Sequence, residues 1–441
     1  MPRVLFVSYT FPPVGGAGVQ RLTKWLKYLP RHGWQLSVLT TENASVPLTD
    51  ESLARDVPAE TRVVRARTLE PSYQAKAAVL KQADRPRRSV GAGLRSAARS
   101  VVNLALQPDP QVLWAPAALR AGRRLLSELP HDVVVATAPP FSALLVGARL
   151  ARAAGLPLVL DYRDEWDISS SYWENRPRDA VSRWVQARMQ ARALRRAQLV
   201  VATTRRSTTR LAEKCRAVGS EARTHCIYNG YDAEDFAEER PPAAPREGYQ
   251  LVYLGTLWAL TDATPLVEGV ARLSAETPDE AKSLEIVFAG RRTSEQSAIL
   301  ARLDGLPCRV RVLDYVDHRE AVRMMREASG LCLLLSSLPA AERVVPAKLF
   351  EYMAARRPIL GVVPDGECRD LLEGHPAAIV CDGREPGSVA RALSREIARA
   401  ASGREPEWGS WDPSRYSRAH LTAELAEALD GVCRAWRTER R

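Results

Sequence analysis

No run of apolar residues in this 441-residue chain is long enough to span a bilayer, and no C-x-x-C pair, H-E-x-x-H helix or paired-aspartate pattern occurs. The seven cysteines, Cys215, Cys226, Cys308, Cys332, Cys368, Cys381 and Cys433, are odd in number and widely scattered, which argues against a disulfide framework and against a zinc site. The six histidines are equally dispersed, so no tightly bound metal is expected. Met1 runs straight into the strand-like RVLFVSY, without the length or cleavage site of a secretory signal, and a cytoplasmic location is expected.

What the chain has in excess is arginine. Lys and Arg number 63 against 52 Asp and Glu, a net charge of +11, which suits an anionic ligand, an anionic membrane surface or nucleic acid. A coding bias toward arginine accounts for the same numbers equally well. The densest basic stretch, RPRRSVGAGLRSAAR at 85–99, would offer peripheral membrane contact if helical, although its apolar face is only Ala and Gly. Charge alone is no case for nucleic-acid binding, and none is expected.

The length suits two domains of roughly 200 residues. Buried-strand patterns at 3–9, 35–40, 61–67, 132–137, 157–161 and 199–203 alternate with helical patterns, and the first half reads as a doubly wound α/β sheet. Residues 229–249 collect Pro, Ala and charge without periodicity and read as a linker, with Asn229-Gly230-Tyr231-Asp232 as a hinge turn. A second α/β unit follows, with strands at 250–254, 284–289, 310–313, 330–335 and 359–363. The expected division is 1–228, linker 229–249, and 250–411, with an amphipathic closing helix within 412–441.

The segment VVPAKLFEYMAARRPILGVVP, 344–364, carries the most chemistry. Pro346 predicts the first turn of a helix, and Pro358 stops that helix soon after Arg356. The free N–H groups at such a helix start favour an anion, and Lys348 adds a mobile charge for a diphosphate. One turn later, Glu351 can accept two hydrogen bonds from a vicinal diol such as ribose. Read alone, Lys348 and Glu351 are also a plausible surface ion pair, three residues apart. The turns Gly255-Thr256 and Gly290-Arg291 each end a strand of the same unit and would face the same ligand.

In the first half, Gly15-Gly16-Ala17-Gly18 opens a helix and lets backbone approach a phosphate, or else is a tight turn with no ligand. Asp161-Tyr162-Arg163-Asp164-Glu165-Trp166-Asp167 follows a buried strand at its ligand-binding end. There Arg163 could hold a charged group, Asp164 a proton or hydroxyl, and Trp166 a sugar face; alternatively the acids cap the next helix and pair with Arg163.

These segments, in this order, resemble family 4 glycosyltransferases of the GT-B fold, in the bacterial branch acting on cell-surface polysaccharides. FPPVGGAG is similar to the family's first glycine loop, LVLDYRDEW to its Asp-x-Arg-Asp-x-Trp segment, IYNGYDAEDF to its domain junction, VYLGTL to its donor-domain strand, and VVPAKLFEYMAARRPIL to its donor-binding helix. The resemblance implies two Rossmann-like domains facing a cleft, with the last helix crossing back to the first domain. It implies retaining, metal-independent transfer of a hexosyl or related sugar from a nucleoside-diphosphate sugar, used as a co-substrate with no cofactor, to a hydroxyl acceptor such as a lipid-linked saccharide. Glu351 would then hold the ribose. Lys348 with the Gly255-Thr256 and Gly15-Gly16 backbones would hold the diphosphate, Gly290-Arg291 would assist, and Pro346, Ala347 and Leu349 would line the nucleotide and sugar edge. Arg163, Asp164 and Trp166 would hold the acceptor, with Asp164 orienting its hydroxyl.

The chain departs from the family at three points. Arg343 stands where an acid is expected eight residues before Glu351, with Glu342 one step away. Trp258-Ala259-Leu260-Thr261-Asp262 replaces a basic residue after LGTL, and Thr137-Ala138-Pro139-Pro140-Phe141 carries no histidine. Glycosylation of a small natural product, nucleotide-sugar epimerisation, phosphorolysis and non-catalytic nucleotide-sugar binding are the rival readings.

Overall fold

Short Val-, Leu- and Ile-rich runs, buried on nearly every residue, fold here as parallel strands covered by helices on both faces, as such continuous apolar runs require. The computed structural model describes residues 1–45, 49–71, 104–168, 179–237 and 248–440. The basic stretch 85–99 falls outside them. The described chain divides into two units, one of Met1–Tyr228 with Leu421–Arg441 and the other of Asn229–His420.

The first unit is built on β1 (Arg3–Val7), β2 (Gln35–Thr41), β3 (Arg62–Ala66), β4 (Val133–Ala138), β5 (Leu158–Tyr162), β6 (Leu199–Ala202) and β7 (Arg223–Cys226). They form one sheet in the order β3-β2-β1-β4-β5-β6-β7, all pairs parallel. Strand order reverses between β1 and β4, and the loops leaving that point are those of a Rossmann-type ligand site. Helices α1 (Ala17–Tyr28), α2 (Ala115–Glu128), α3 (Ser142–Ala154), α4 (Ala180–Leu194) and α5 (Arg205–Ala217) connect the strands.

The second unit repeats the plan with β8 (Tyr249–Leu254), β9 (Leu284–Ala289), β10 (Arg309–Leu313), β11 (Gly330–Leu334), β12 (Ile359–Val362) and β13 (Ala378–Cys381), ordered β10-β9-β8-β11-β12-β13. Its helices are α6 (Thr264–Glu276), α7 (Pro278–Lys282), α8 (Ser294–Leu300), α9 (His318–Glu327), α10 (Lys348–Ala355), α11 (Glu367–Glu373) and α12 (Pro386–Ala401). Helix α13 (Arg418–Thr438) follows, and from Leu421 on it belongs to the first unit. There Arg437 pairs with Asp132 at 2.6 Å and the Trp436 indole donates to the Gly155 carbonyl at 3.2 Å. No helix among the described residues is long and apolar enough to cross a membrane.

Residues 231–237, expected to be linker, are structured. Tyr231 donates to the Tyr416 carbonyl and accepts from the Arg418 N–H at 2.7 Å, while the Asp232 carboxylate caps the short 3-10 turn Ala233–Phe236.

Candidate functional site

Helix α10 begins two residues later than Pro346 predicts. The Pro346 carbonyl instead accepts the Leu349 N–H at 3.0 Å, so Pro346 and Ala347 form an entry turn and Lys348 is the first helical residue. The helix stops at Ala355 because Arg356 takes a left-handed conformation, φ 50°, ahead of Pro358. Leu349, Phe350, Tyr352 and Met353 bury the helix against the sheet, and the Tyr352 hydroxyl accepts the Leu254 N–H at 3.0 Å. Leu349 is therefore a core residue and has no surface to give a ligand, contrary to its expected place at the nucleotide edge.

This packing fixes where Lys348 points. Its ammonium lies 3.9 Å from the centre of the Tyr253 ring, sealed from solvent and without a hydrogen-bond partner among the described residues. A Cβ on residue 255 would stand 2.7 Å from that nitrogen, and Gly255 has φ 125°, so glycine supplies both the turn and the room. Burial pulls the Lys348 amine down to about 7; Cys332 and Glu351 oppose that pull. The interaction with the ring face is attractive, but a buried ammonium with no hydrogen-bond partner is costly.

The Gly255 and Gly290 backbones cannot serve a diphosphate as expected. The Gly255 N–H donates to the Ala289 carbonyl at 2.9 Å and the Gly290 N–H to the Leu313 carbonyl at 3.3 Å. A Cβ on Gly290 would stand 2.2 Å from the Gly255 carbonyl, so these glycines pack the two strand ends together. Thr256 is exposed, and its carbonyl accepts from the Tyr253 and Thr261 hydroxyls at 2.9 and 2.7 Å. Arg291 is exposed too, whereas its neighbour Arg292 is tied to Asp314 at 3.1 Å. Arg343, in the position of the missing acid, pairs with Glu342 at 2.7 Å.

Glu351 does not appear as an ion-pair partner of Lys348. Its carboxylate lies 3.9 Å from Nδ1 of His318, whose Nε2 is 2.9 Å from Asp235.

In the first unit, Gly16 (φ 113°) precedes α1, and no side chain caps that helix start. The Gly15-Gly16 turn is thus compatible with an anion. The loop after β5 differs from expectation. Trp166 is 3% exposed, stacked on Phe141 with ring centres 4.4 Å apart, and its indole donates to Gln186 at 3.1 Å. It is a core residue and presents no face to a sugar. Arg163 is buried, donating to the Gly18 carbonyl at 2.8 Å and to the Pro139 carbonyl. It latches the glycine loop to the loop after β4 rather than reaching an acceptor.

Asp161 is likewise structural, paired with Arg21 at 3.0 Å with both side chains 1% exposed, and accepting from Thr137 at 2.6 Å. Asp164 alone in this group is exposed and, among the described residues, free of any hydrogen bond or ion pair. Desolvation by the surrounding protein pushes its carboxyl above the usual value, with Arg163 opposing and Asp161 and Glu165 adding to the push.

Sequence reasoning missed Tyr253, His318 and Asp235. Tyr253 alternates into a strand that reads as plain core, while His318 and Asp235 lie 33 and 116 residues from Glu351 and carry no local motif.

The folds define the class first: two Rossmann-like α/β units, each a parallel sheet with a ligand-type loop edge. A glycosyl transferase 4-like domain model matches residues 15–230, and a glycosyl transferases group 1 model matches 248–399. The chain belongs to the family 4 glycosyltransferases of the GT-B fold and is a glycosyltransferase. Among solved structures it is similar to Anabaena HepE in complex with UDP-glucose, at 16% identity and TM-score 0.58, over 97% of this chain and 99% of that one. It is also similar to the UDP-forming α,α-trehalose-phosphate synthase of Burkholderia xenovorans with glucose-6-phosphate, at 12% identity and TM-score 0.59, over 97% and 100%. At these identities the likeness carries the fold alone. No curated protein matches the sequence.

Proposed function

We propose that the chain transfers a sugar from a nucleoside-diphosphate sugar to a hydroxyl acceptor with retention of configuration. The observation that carries this reading is the buried, unpartnered ammonium of Lys348 beside Gly255, at the start of α10. A leaving diphosphate gains negative charge as the sugar–oxygen bond breaks, and a preorganised cation in a water-poor site stabilises that charge without reorganising. The relatives described with UDP-glucose and with a UDP-forming activity make a uridine nucleotide the first donor to test.

In the reaction, the bond from the anomeric carbon to the diphosphate oxygen breaks, and the acceptor oxygen bonds to that carbon on the same face. The acceptor proton passes to the departing diphosphate. Lys348 holds the diphosphate and Glu351 the ribose diol. We assign Asp164, exposed and unpartnered on the first unit, to orienting the acceptor hydroxyl; a lipid-linked saccharide fits such an acceptor, and membrane contact would then be peripheral.

The test is turnover of a panel of nucleoside-diphosphate sugars by the wild type, Lys348→Ala and Glu351→Ala. Each variant is expected to lose at least about a hundredfold in turnover while remaining folded. Near-normal activity in both removes the assignment, and conversion of a nucleotide sugar without acceptor points to epimerisation instead.

A further inference from the structure

The contact that the proposed mechanism leaves unused is the one between α9, α10 and the turn at Ala233–Phe236. His318 is the first residue of α9, whose start is capped by the Asp317 carboxylate accepting the Glu320 N–H at 2.9 Å. That cap fixes the backbone from which the imidazole projects. One ring nitrogen, Nε2, sits 2.9 Å from Asp235 Oδ2, and the other, Nδ1, sits 3.9 Å from Glu351 Oε1. The side chains are partly buried, 18% exposed for His318, 26% for Asp235 and 20% for Glu351. A histidine held at one nitrogen by a carboxylate has a fixed ring plane, so what its other nitrogen faces is also fixed.

Glu351 stands three residues after Lys348 on the same helix, a spacing at which opposite charges ordinarily meet. If they did, the ammonium would be neutralised before a diphosphate arrived and the carboxylate would lose an acceptor for the diol. Resting on the donor-site reading above, we propose that His318 is a positioning residue for Glu351, itself held by Asp235. It draws the Glu351 carboxylate away from Lys348 and keeps it available to the ribose hydroxyls of the nucleotide. The turn Ala233–Phe236, which follows the segment expected to be a hinge, thereby becomes part of the donor site.

The experiment is calorimetric binding of UDP, GDP and ADP, each beside its 2′-deoxy counterpart, to the full chain and to Glu351→Gln, His318→Ala, His318→Gln and Asp235→Asn. The wild type is expected to prefer the best ribonucleotide over its deoxy form by about tenfold or more, as loss of a hydrogen bond to a charged group implies. His318→Ala and Asp235→Asn should cut that preference at least about threefold with deoxynucleotide affinity little changed, and His318→Gln, which keeps an N–H donor, should restore part of it. A full preference retained in His318→Ala, or a parallel loss of ribo- and deoxynucleotide affinity, overturns the proposal. A wild type that binds none of the nucleotides, or does not discriminate, overturns the donor-site reading itself and this inference with it.

Discussion

The Lys348 ammonium faces the Tyr253 ring at 3.9 Å and has no hydrogen-bonding partner among the described residues, so a charge borne by α10 rests against a strand of the sheet through an aromatic face. Burial has brought that amine down to about 7, so it is only about half protonated at neutral pH.

A diphosphate beside the amine would raise its pKa again, and binding should therefore take up a proton. Calorimetry of UDP at pH 8 in buffers of different ionisation enthalpy is expected to show uptake of more than about half a proton per site. In Lys348→Met the uptake should vanish. Affinity should weaken by as much as tenfold per pH unit above about 7 as the free amine loses its proton. Binding without proton exchange would mean that the amine is not at the phosphates.

The same amine sets a pH dependence of stability. Its pKa is about 7 in the folded protein against 10.5 for an ordinary lysine, so between these limits the unfolded chain binds a proton that the folded chain does not. Stability from this group therefore rises with pH across that window, and the cost of burying the charge is present in full below it. Lys348→Met should raise the melting temperature at pH 6 and much less at pH 10. A variant that melts lower than the wild type at both values would contradict the sign.

Gly255→Ala should disturb the proposed donor site directly. The added methyl would enter at 2.7 Å from the Lys348 nitrogen on a backbone of φ 125°. We expect a stability loss of about 1–3 kcal/mol and at least a tenfold loss in nucleoside-diphosphate affinity. Thermal melts and calorimetry on the same samples check both; unchanged affinity would place the ligand elsewhere.

Trp166 and Asp164 should separate cleanly. Trp166→Ala is expected to destabilise the first unit by about 3–5 kcal/mol, as removal of a large core side chain does, while Trp166→Phe keeps most activity. Asp164→Asn should melt like the wild type, leave donor binding intact and lower turnover at saturating donor. Acceptor-dependent kinetics that change with Trp166→Phe but not Asp164→Asn would reverse these roles.

The strands of both sheets were legible wherever burial on two faces writes an unbroken apolar run, as in residues 4–7 or 331–334. The two missed strands, Arg223–Cys226 and Ala378–Cys381, are four-residue strands at sheet edges; in the first, half-exposed positions admit Arg, Thr and His and the run dissolves, while the second is apolar but only four residues long. Lys348 was legible because Pro346 and Pro358 bracket its helix. Trp166 was misread because a tryptophan after a strand looks the same whether it turns to solvent or to Phe141. The glycines at 255 and 290 announced a close approach, but it is between two strand ends, and only coordinates tell which atoms meet.

The closing helix makes the first unit discontinuous in the chain: its cover from Leu421 onward is synthesised after the whole of the second unit. On a ribosome adding roughly 5–20 residues per second, the seven-stranded sheet must wait on the order of ten seconds or more for that helix, with the surface around Asp132 and Gly155 still bare. The first unit is thus finished after the second. A chain cut short near its end would lose the first unit's packing while leaving the second unit intact, so damage at the C-terminus would be felt at the N-terminal sheet.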